Sequence, residues 1–407
     1  MKILFVNENG TTVGGAESHI AHLFEALKRK GVESFLLASA GDGSGQFILP
    51  RDRTVFSHHP SGPCSKIRNG TAARAIEGAI KKFDIDFVHA HNIFSTISPY
   101  FFKNCSVPAL LTLHDYHIIC PKTIQFLRER SLPCMNECNM GKCLGPVKYR
   151  YEIFKRNRWK EYLKDISIIA PSMYLENEIR KRGLTRVTTI HNGVPAPDKI
   201  IRKTKGVGSA EEVFHLIFTG RLYPEKGVIP MLKAFERFLA GMNHRKRDGI
   251  KLTVTGDGPL KGELRDYSRR YTEIDYLGFI PRKRLSEILS SASFLVMPSI
   301  WPENCSMAVL EAMRQGIPVI ASNMGGTPEL VQDRKEAYIM DFVSIFSSCR
   351  TSTEEKIIKL LENTFKRAYS ARERIPKMAK SCKRAIEKRF SSDIMADRII
   401  TQYRKLG

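Results

Sequence analysis

No stretch of the chain comes near the ~20 consecutive apolar residues that a membrane-spanning helix requires. The most apolar runs, such as Phe35–Ala40 and Phe294–Pro298, are far shorter. The opening Met1–Val6 is apolar but brief, and Asn7-Glu8-Asn9-Gly10 follows it. It reads as a first buried strand rather than a secretory signal. Acidic residues are in deficit, 42 Asp and Glu against 65 Lys and Arg, giving a formal net charge of +23. That excess attracts nucleic acid, anionic lipid headgroups or phosphorylated substrates without choosing among them. No zinc-finger, helix-turn-helix or RNA-recognition signature accompanies the charge, so no nucleic-acid partner is expected. The dinucleotide fingerprint G-x-G-x-x-G is missing after the first strand, which disfavours a dehydrogenase. Short-period repeats and low-complexity tracts are absent. The nine cysteines are an odd number with no signal sequence before them. They fit a reducing cytoplasm better than a disulfide framework.

What is present has the composition of a soluble globular protein, 42% hydrophobic and 26% charged. At 407 residues the chain is too long for one ordinary core, and two domains of roughly 200 residues are expected. The first half alternates short apolar strands with helical stretches. Lys2–Val6, Ser34–Ala38, Asp86–Val88, Ala109–Leu113 and Asp165–Ala170 read as strands. Ser18–Arg29 carries Ile20, Leu23, Phe24 and Leu27 at helical spacing, and Gly31 stops it. The same grammar restarts at Phe214–Thr219 and continues through Lys251–Thr255, Ile274–Leu277, Phe294–Met297 and Pro318–Ala321. Such alternation implies two α/β, doubly wound, mostly parallel sheets. The polar, basic stretch Lys199–Ala210 suits a linker. The expected domains are therefore 1–197 and 198–391, with a last helix at 392–407 that can pack back on the first domain.

Candidate chemistry gathers at strand ends, where open α/β sheets bind their ligands. Gly14 and Gly15 sit at the first strand-to-helix turn. There backbone N–H groups and the helix N-terminus can meet a phosphate or sugar. His89-Ala90-His91 and Thr112-Leu113-His114-Asp115 close two further strands. Histidine there can bond sugar hydroxyls or shuttle a proton, although a lone histidine is more often structural. In Gly220-Arg221-Leu222-Tyr223-Pro224-Glu225-Lys226-Gly227, Arg221 and Lys226 lie across a turn. Both are expected to be exposed in a cleft and to neutralise one diphosphate without a metal. Further on, Trp301-Pro302-Glu303-Asn304-Cys305-Ser306 leads into a helix expected to begin at Asn304 or Cys305, with Glu311 on it. The helix N-terminus could take phosphate, Glu303 sugar hydroxyls, and Glu311 a ribose diol. Asp84-Ile85-Asp86 imitates a D-x-D metal motif but reads as structural.

In order and spacing, these segments resemble the family 4 retaining glycosyltransferases. The match runs from Gly14-Gly15-Ala16-Glu17 and Thr112-Leu113-His114-Asp115 to Gly220-Arg221 with Lys226. It continues through Gly256-Asp257-Gly258-Pro259, Tyr276-Leu277-Gly278-Phe279, Glu303 with Glu311, and Gly325-Gly326-Thr327-Pro328-Glu329. The resemblance covers residues 1 to about 340. It implies the GT-B fold, two Rossmann-like domains facing each other across a cleft. A UDP- or GDP-sugar donor would lie in the second domain and a glycan or lipid-linked acceptor mainly on the first. By this resemblance Arg221 and Lys226 bind the donor diphosphate, Glu303 the transferred sugar and Glu311 the ribose. His114 sits against the reacting sugar, and Gly14 and Gly15 line the facing wall. Gly220, Asn304, Cys305 and Ser306 border the donor, and the backbone through Gly278 and Phe279 cradles the base. Catalysis with retention and without a cofactor or metal is implied. The chain carries Asn304-Cys305-Ser306 where many relatives carry Gly-Phe-Gly.

Two features fall outside the resemblance. Cys120, Cys134, Cys138 and Cys143 lie in one proline- and glycine-containing stretch. They could hold a structural zinc or an iron–sulfur group, or remain free thiols. Lys148–Lys164 holds seven basic residues interleaved with Tyr149, Tyr151, Phe154, Trp159 and Tyr162. That mixture suits an anionic membrane surface, or else a helix with one packed and one solvated side. A second basic stretch runs from Lys366 to Arg389. The expected protein is thus a cytoplasmic hexosyltransferase, peripheral at the inner face of the membrane, acting in polysaccharide or glycolipid synthesis. The competing readings are an epimerase-like enzyme that processes a nucleotide sugar without transfer, and a basic non-catalytic scaffold on membrane or nucleic acid.

Overall fold

The computed structural model describes residues 1–11, 14–40, 48–57, 62–127, 132–134, 143–197, 213–348 and 353–407. They divide into two compact units. The first holds Met1–Ile124, Cys138–Pro195 and Phe390–Gly407, and the second holds Gln125–Glu137 and Ala196–Arg389. The stretch expected to be a linker, 199–210, lies outside the described residues.

The first unit begins with β1 (Lys2–Asn9), α1 (Gly15–Arg29), β2 (Glu33–Ala40), β3 (Thr54–Phe56), α2 (Pro63–Ile67), α3 (Gly70–Phe83), β4 (Phe87–Ala90) and β5 (Ala109–Thr112). After the short antiparallel hairpin β6 (Phe126–Leu127) and β7 (Leu132–Pro133), which belongs to the second unit, come α4 (Pro146–Leu163), β8 (Ser167–Ala170), α5 (Met173–Arg180) and β9 (Val187–Thr189). Seven parallel strands run in the order β3-β2-β1-β4-β5-β8-β9. Ile3 to Val6 are wholly buried, the near-continuous apolar run of a strand covered on both faces. α1 buries Ile20, Leu23, Phe24 and Leu27, one stripe at helical spacing. Asp84 ends α3 in a left-handed conformation, and Lys2 reaches it at 3.2 Å. The Lys2 backbone N–H donates to Asp86 at 2.7 Å, so both acids of the D-x-D imitation bond the first residue of the central strand β1.

The second unit holds β10 (Phe214–Thr219), α6 (Val228–Ala240), α7 (His244–Arg247), β11 (Ile250–Thr255), α8 (Lys261–Arg270), β12 (Ile274–Tyr276), α9 (Arg282–Ser290) and β13 (Phe294–Met297). It continues with α10 (Met307–Arg314), β14 (Val319–Ser322), α11 (Thr327–Leu330), β15 (Ala337–Met340), α12 (Phe342–Ser348), α13 (Thr353–Ser370) and α14 (Ile375–Ala385). Its six parallel strands run β12-β11-β10-β13-β14-β15. The direction of winding reverses between β10 and β13, which opens a crevice at their carboxyl ends. The reversal in the first sheet falls between β1 and β4.

The last helix, α15 (Ser392–Leu406), returns to the first unit. Met395, Ala396, Ile399, Ile400 and Tyr403 enter one core with Ile3, Phe5, Ile20, Leu23 and Leu27. The Tyr403 hydroxyl is hydrogen-bonded to His89 Nδ1 at 2.7 Å, and His89 Nε2 to Thr112 Oγ1 at 2.7 Å.

Candidate functional site

The loops after β10 and β13 meet at the reversal of the second sheet. After β10 the chain makes a 3-10 turn at Pro224–Lys226 and enters α6 through Gly227. Gly227 has φ +70°, and a Cβ there would stand 2.0 Å from the Pro298 carbonyl oxygen. Only glycine lets the two loops touch so closely. The approach brings Lys226 Nζ to 2.6 Å from Glu303 Oε1. The same oxygen accepts from Ser299 Oγ at 2.5 Å and Trp301 Nε1 at 2.9 Å. The Lys226 ammonium also lies over the Trp301 ring, 4.9 Å from its centroid. All three side-chain donors fall on Oε1, and among the described residues Oε2 has none. Burial works to raise the Glu303 pKa, but Lys226 and the hydrogen bonds outweigh it and hold the carboxyl below its usual value. Gly325 closes the rear of the loop. Its φ is +63°, and a Cβ would stand 2.2 Å from the Glu303 carbonyl.

Lys226 is therefore not the exposed cation expected from the sequence. Its side chain is 13% exposed and neutralised by Glu303, whereas Arg221 is exposed, with its guanidinium over the Tyr223 ring. α10 starts at Met307 rather than at Asn304 or Cys305. Ser306 is its cap, its hydroxyl accepting from the Val309 N–H. Asn304, Cys305 and Ser306 are all buried in the loop before it. Glu311 meets Arg282 at 3.4 Å, and burial raises its pKa despite that neighbour. At the end of β12, Gly278 takes φ +65° and Phe279 is 82% exposed. Gly220, with φ +156°, ends β10.

In the first unit the corresponding strand ends hold histidines. His91 Nδ1 and His114 Nε2 are 2.9 Å apart with the rings stacked, and His19 of α1 stands edge-on to His114. Burial lowers the pKa of His114 to about 4 against the pull of Asp115. Burial also drives His19, His89 and His91 well below the ordinary value. These rings are neutral at pH 7. Asp115 is held low by His117, 2.6 Å away, in spite of its own burial. Gly14 is the cap of α1, its carbonyl accepting from the Ser18 N–H and hydroxyl, and Gly15 is the first residue of the helix.

The Glycosyltransferase Family 4 model matches residues 13–196 and the Glycosyl transferases group 1 model residues 199–381. A glycogen synthase of Mycobacterium tuberculosis is 31% identical over 356 residues, 81% of this chain and 80% of that protein. The chain belongs to the family 4, group 1 glycosyltransferases. A lipopolysaccharide 1,2-N-acetylglucosaminetransferase of Salmonella typhimurium is 26% identical over 58% of this chain and 62% of its own length. An uncharacterized glycosyltransferase of Methanocaldococcus jannaschii is matched over 58% of its length at 23% identity. Among solved structures, Anabaena HepE in complex with UDP superposes with a TM-score of 0.66 at 18% identity, covering all of both chains. Sucrose-phosphate synthase from Thermosynechococcus elongatus gives 0.70 at 16%, covering 100% of this chain and 99% of that one. The fold is GT-B.

Other expectations for this glycosyltransferase fall on less organised ground. Cys120, Cys134 and Cys143 are in no disulfide, and among the described residues they form no metal-ligating group. Cys138 lies outside the described residues. Within α4, Lys155 is buried and meets Glu152 at 2.7 Å, while Arg156 donates to the His117 carbonyl at 2.6 Å. The side left to solvent carries Lys148, Arg150, Arg158 and Lys160 around Val147 and Phe154, which are 84% and 52% exposed. No helix among the described residues is long and apolar enough to cross a membrane. Two residues that complete the Glu303 site, Ser299 and Trp301, were not singled out from the sequence. Trp301 had a signal, lying two residues before the glutamate. Ser299 had none.

Proposed function

We propose that this protein is a retaining glycosyltransferase. In this reading it moves a hexose-type sugar from a UDP- or GDP-sugar to a glycan or lipid-linked acceptor, in polysaccharide or glycolipid synthesis. The domain expected at 198–391 takes the donor, and the domain expected at 1–197, with the helix 392–407, takes the acceptor. The observation that carries the reading is Glu303. Three donors fix its Oε1, and Oε2 stays available as a preset acceptor for sugar hydroxyls. A preset acceptor costs no reorganisation when substrate arrives. The complexes of the Anabaena neighbour with UDP and with UDP-glucose support a nucleotide-sugar donor.

Departure of a nucleoside diphosphate requires positive charge where negative charge develops. The Lys226–Glu303 pair is close to neutral as a unit, so Arg221 supplies the net charge, with the remaining Lys226 N–H donors and the N-terminus of α10 beside it. Glu311 receives the ribose and exposed Phe279 lies against the base. Gly14, Gly15 and neutral His114 serve the sugar from the first unit. No metal enters this account, and with retention the departing phosphate itself takes the acceptor proton. In this reading the enzyme works on an anionic membrane surface bearing a lipid-linked acceptor, and the basic side of α4 supports that reading.

The test is a panel of UDP- and GDP-sugars assayed for acceptor-dependent nucleotide release, with and without EDTA, and the product anomer read by NMR. Release from one donor class that survives EDTA, with the anomeric configuration kept, is the expected result. Activity abolished by EDTA and restored by magnesium or manganese would overturn metal independence. Isomerisation of the donor without transfer would favour the epimerase-like reading, and absence of any turnover or donor binding the scaffold.

A further inference from the structure

Three histidines of the first unit converge from three elements: His19 from α1, His91 just past β4 and His114 just past β5. One ring nitrogen of each lies within 4.8 Å of those of the other two. His19 and His91 are each 1% exposed. Neither ring nitrogen of His19 makes a hydrogen bond of ordinary geometry, nor does Nε2 of His91. The Asn192 side chain approaches His19 outside that geometry and favours its protonated form. Leaving a buried polar atom without a partner destabilises the fold. A cation held by one nitrogen from each ring would satisfy one of the two His19 nitrogens, so it is the unpartnered ring of His19 that points to a ligand.

We propose that His19, His91 and His114 bind one divalent transition cation of the zinc class. Neutral imidazoles are ligands for zinc, cobalt, nickel and copper, and a set without carboxylates discriminates against magnesium and calcium. Three nitrogens leave a fourth tetrahedral position open. Zinc–nitrogen bonds of about 2.0–2.1 Å require ligand nitrogens roughly 3.3 Å apart. His91 Nδ1 and His114 Nε2 are already closer than that, at 2.9 Å. His19 stands with its ring centroid 4.8 Å from that of His114, and small ring rotations close the set. His114 is partly exposed and gives the cluster a side open to solvent. A cation there joins α1 to the ends of β4 and β5 and replaces the His91–His114 hydrogen bond. If His114 serves the transferred sugar, as proposed above, the cation withdraws it and slows transfer. That consequence rests on the proposed function, whereas the binding does not.

The experiment titrates cobalt(II) into the chelator-treated full-length protein and follows its absorption. The expected result is one equivalent bound, with visible ligand-field bands and no near-ultraviolet thiolate charge transfer, displaced by zinc and unaffected by magnesium. His19→Gln should weaken binding at least tenfold with circular dichroism unchanged. His114→Gln, at a partly exposed position, gives the same reading should His19→Gln fail to fold. A variant with Cys120, Cys134, Cys138 and Cys143 all changed to Ser should bind as the parent does. Absence of binding, an unchanged affinity in the histidine variants, or a thiolate band lost in the serine variant would each overturn the proposal. Slower nucleotide release with zinc is read separately. Its failure, with binding intact, would count against the role of His114 in transfer and not against the site.

Discussion

Lys226 Nζ lies 2.6 Å from Oε1 of Glu303, with the two side chains 13% and 8% exposed. Removing one partner of a buried pair leaves the other charge uncompensated, at a cost of about 3–5 kcal/mol. Lys226→Ala should therefore lower both turnover, by ~10² or more, and the melting temperature of the second unit. Adding Glu303→Gln should recover much of the stability and none of the turnover. Arg221→Ala should lower turnover alone, since Arg221 is exposed. Thermal melts beside kcat/KM separate the cases. An unchanged melting temperature in Lys226→Ala would show that the pair does not hold the loops together.

His215 yields a pH prediction. It is buried, with Nε2 hydrogen-bonded to Thr253 Oγ1 at 2.8 Å, and burial together with Lys251 lowers its pKa to about 4. In the unfolded chain it titrates near 6.5. Above that pH it is neutral in both states. Below it the unfolded chain binds the proton first, so stability is lost as pH falls from about 6.5 toward 4. The loss is at most about 3 kcal/mol for this group. His215→Gln should flatten that part of the stability profile, measured by urea unfolding at pH 7 and pH 4.5. Parallel profiles for parent and variant would contradict the assignment.

On α4, the exposed side around Val147 and Phe154 should carry the protein onto anionic vesicles at low salt. Binding should fade as salt screens the charges. Reversal of Lys148, Arg150 and Lys160 to Glu should release it while donor binding persists. Arg156 is unsuitable for such a test, because it bonds the His117 carbonyl. Co-sedimentation equal on anionic and zwitterionic vesicles would mean that this side is merely solvated.

Tyr403→Phe removes the hydroxyl bonded to His89 Nδ1 and leaves a buried ring nitrogen without a partner. The expected cost is about 1–3 kcal/mol, read as a lower denaturation midpoint of the first unit. A midpoint unmoved by the substitution would show that His89 finds another partner.

The two parallel sheets were legible because their central strands are short apolar runs closed by glycine or polar turns, as Lys2–Val6 and Phe214–Thr219 are. The edge strands β3 and β9 were not, because each has three residues of mixed burial and no period to read. The placement of the β6–β7 hairpin with the second unit also escaped, since grouping in space leaves no mark on a local pattern. At the site, glycines and helix starts were visible one by one. The Lys226–Glu303 pair joins residues 77 apart, and charge type alone suggested two separate roles. His19 occupies a core position of an amphipathic helix, where a polar residue reads as an exception rather than as part of a cluster.

The return of α15 to the first unit has a consequence for synthesis. Ser392–Leu406 supplies part of the core around Ile3, Phe5 and Leu27, yet all of the second unit precedes it in the chain. On the ribosome the first unit emerges early, and its core around α1 and β1 stays incomplete until Ser392–Leu406 has left the exit tunnel. Domains usually fold from the N-terminus forward as they are made. Here the later-made unit is whole first, and the earlier one closes only after Ser392–Leu406 has been made.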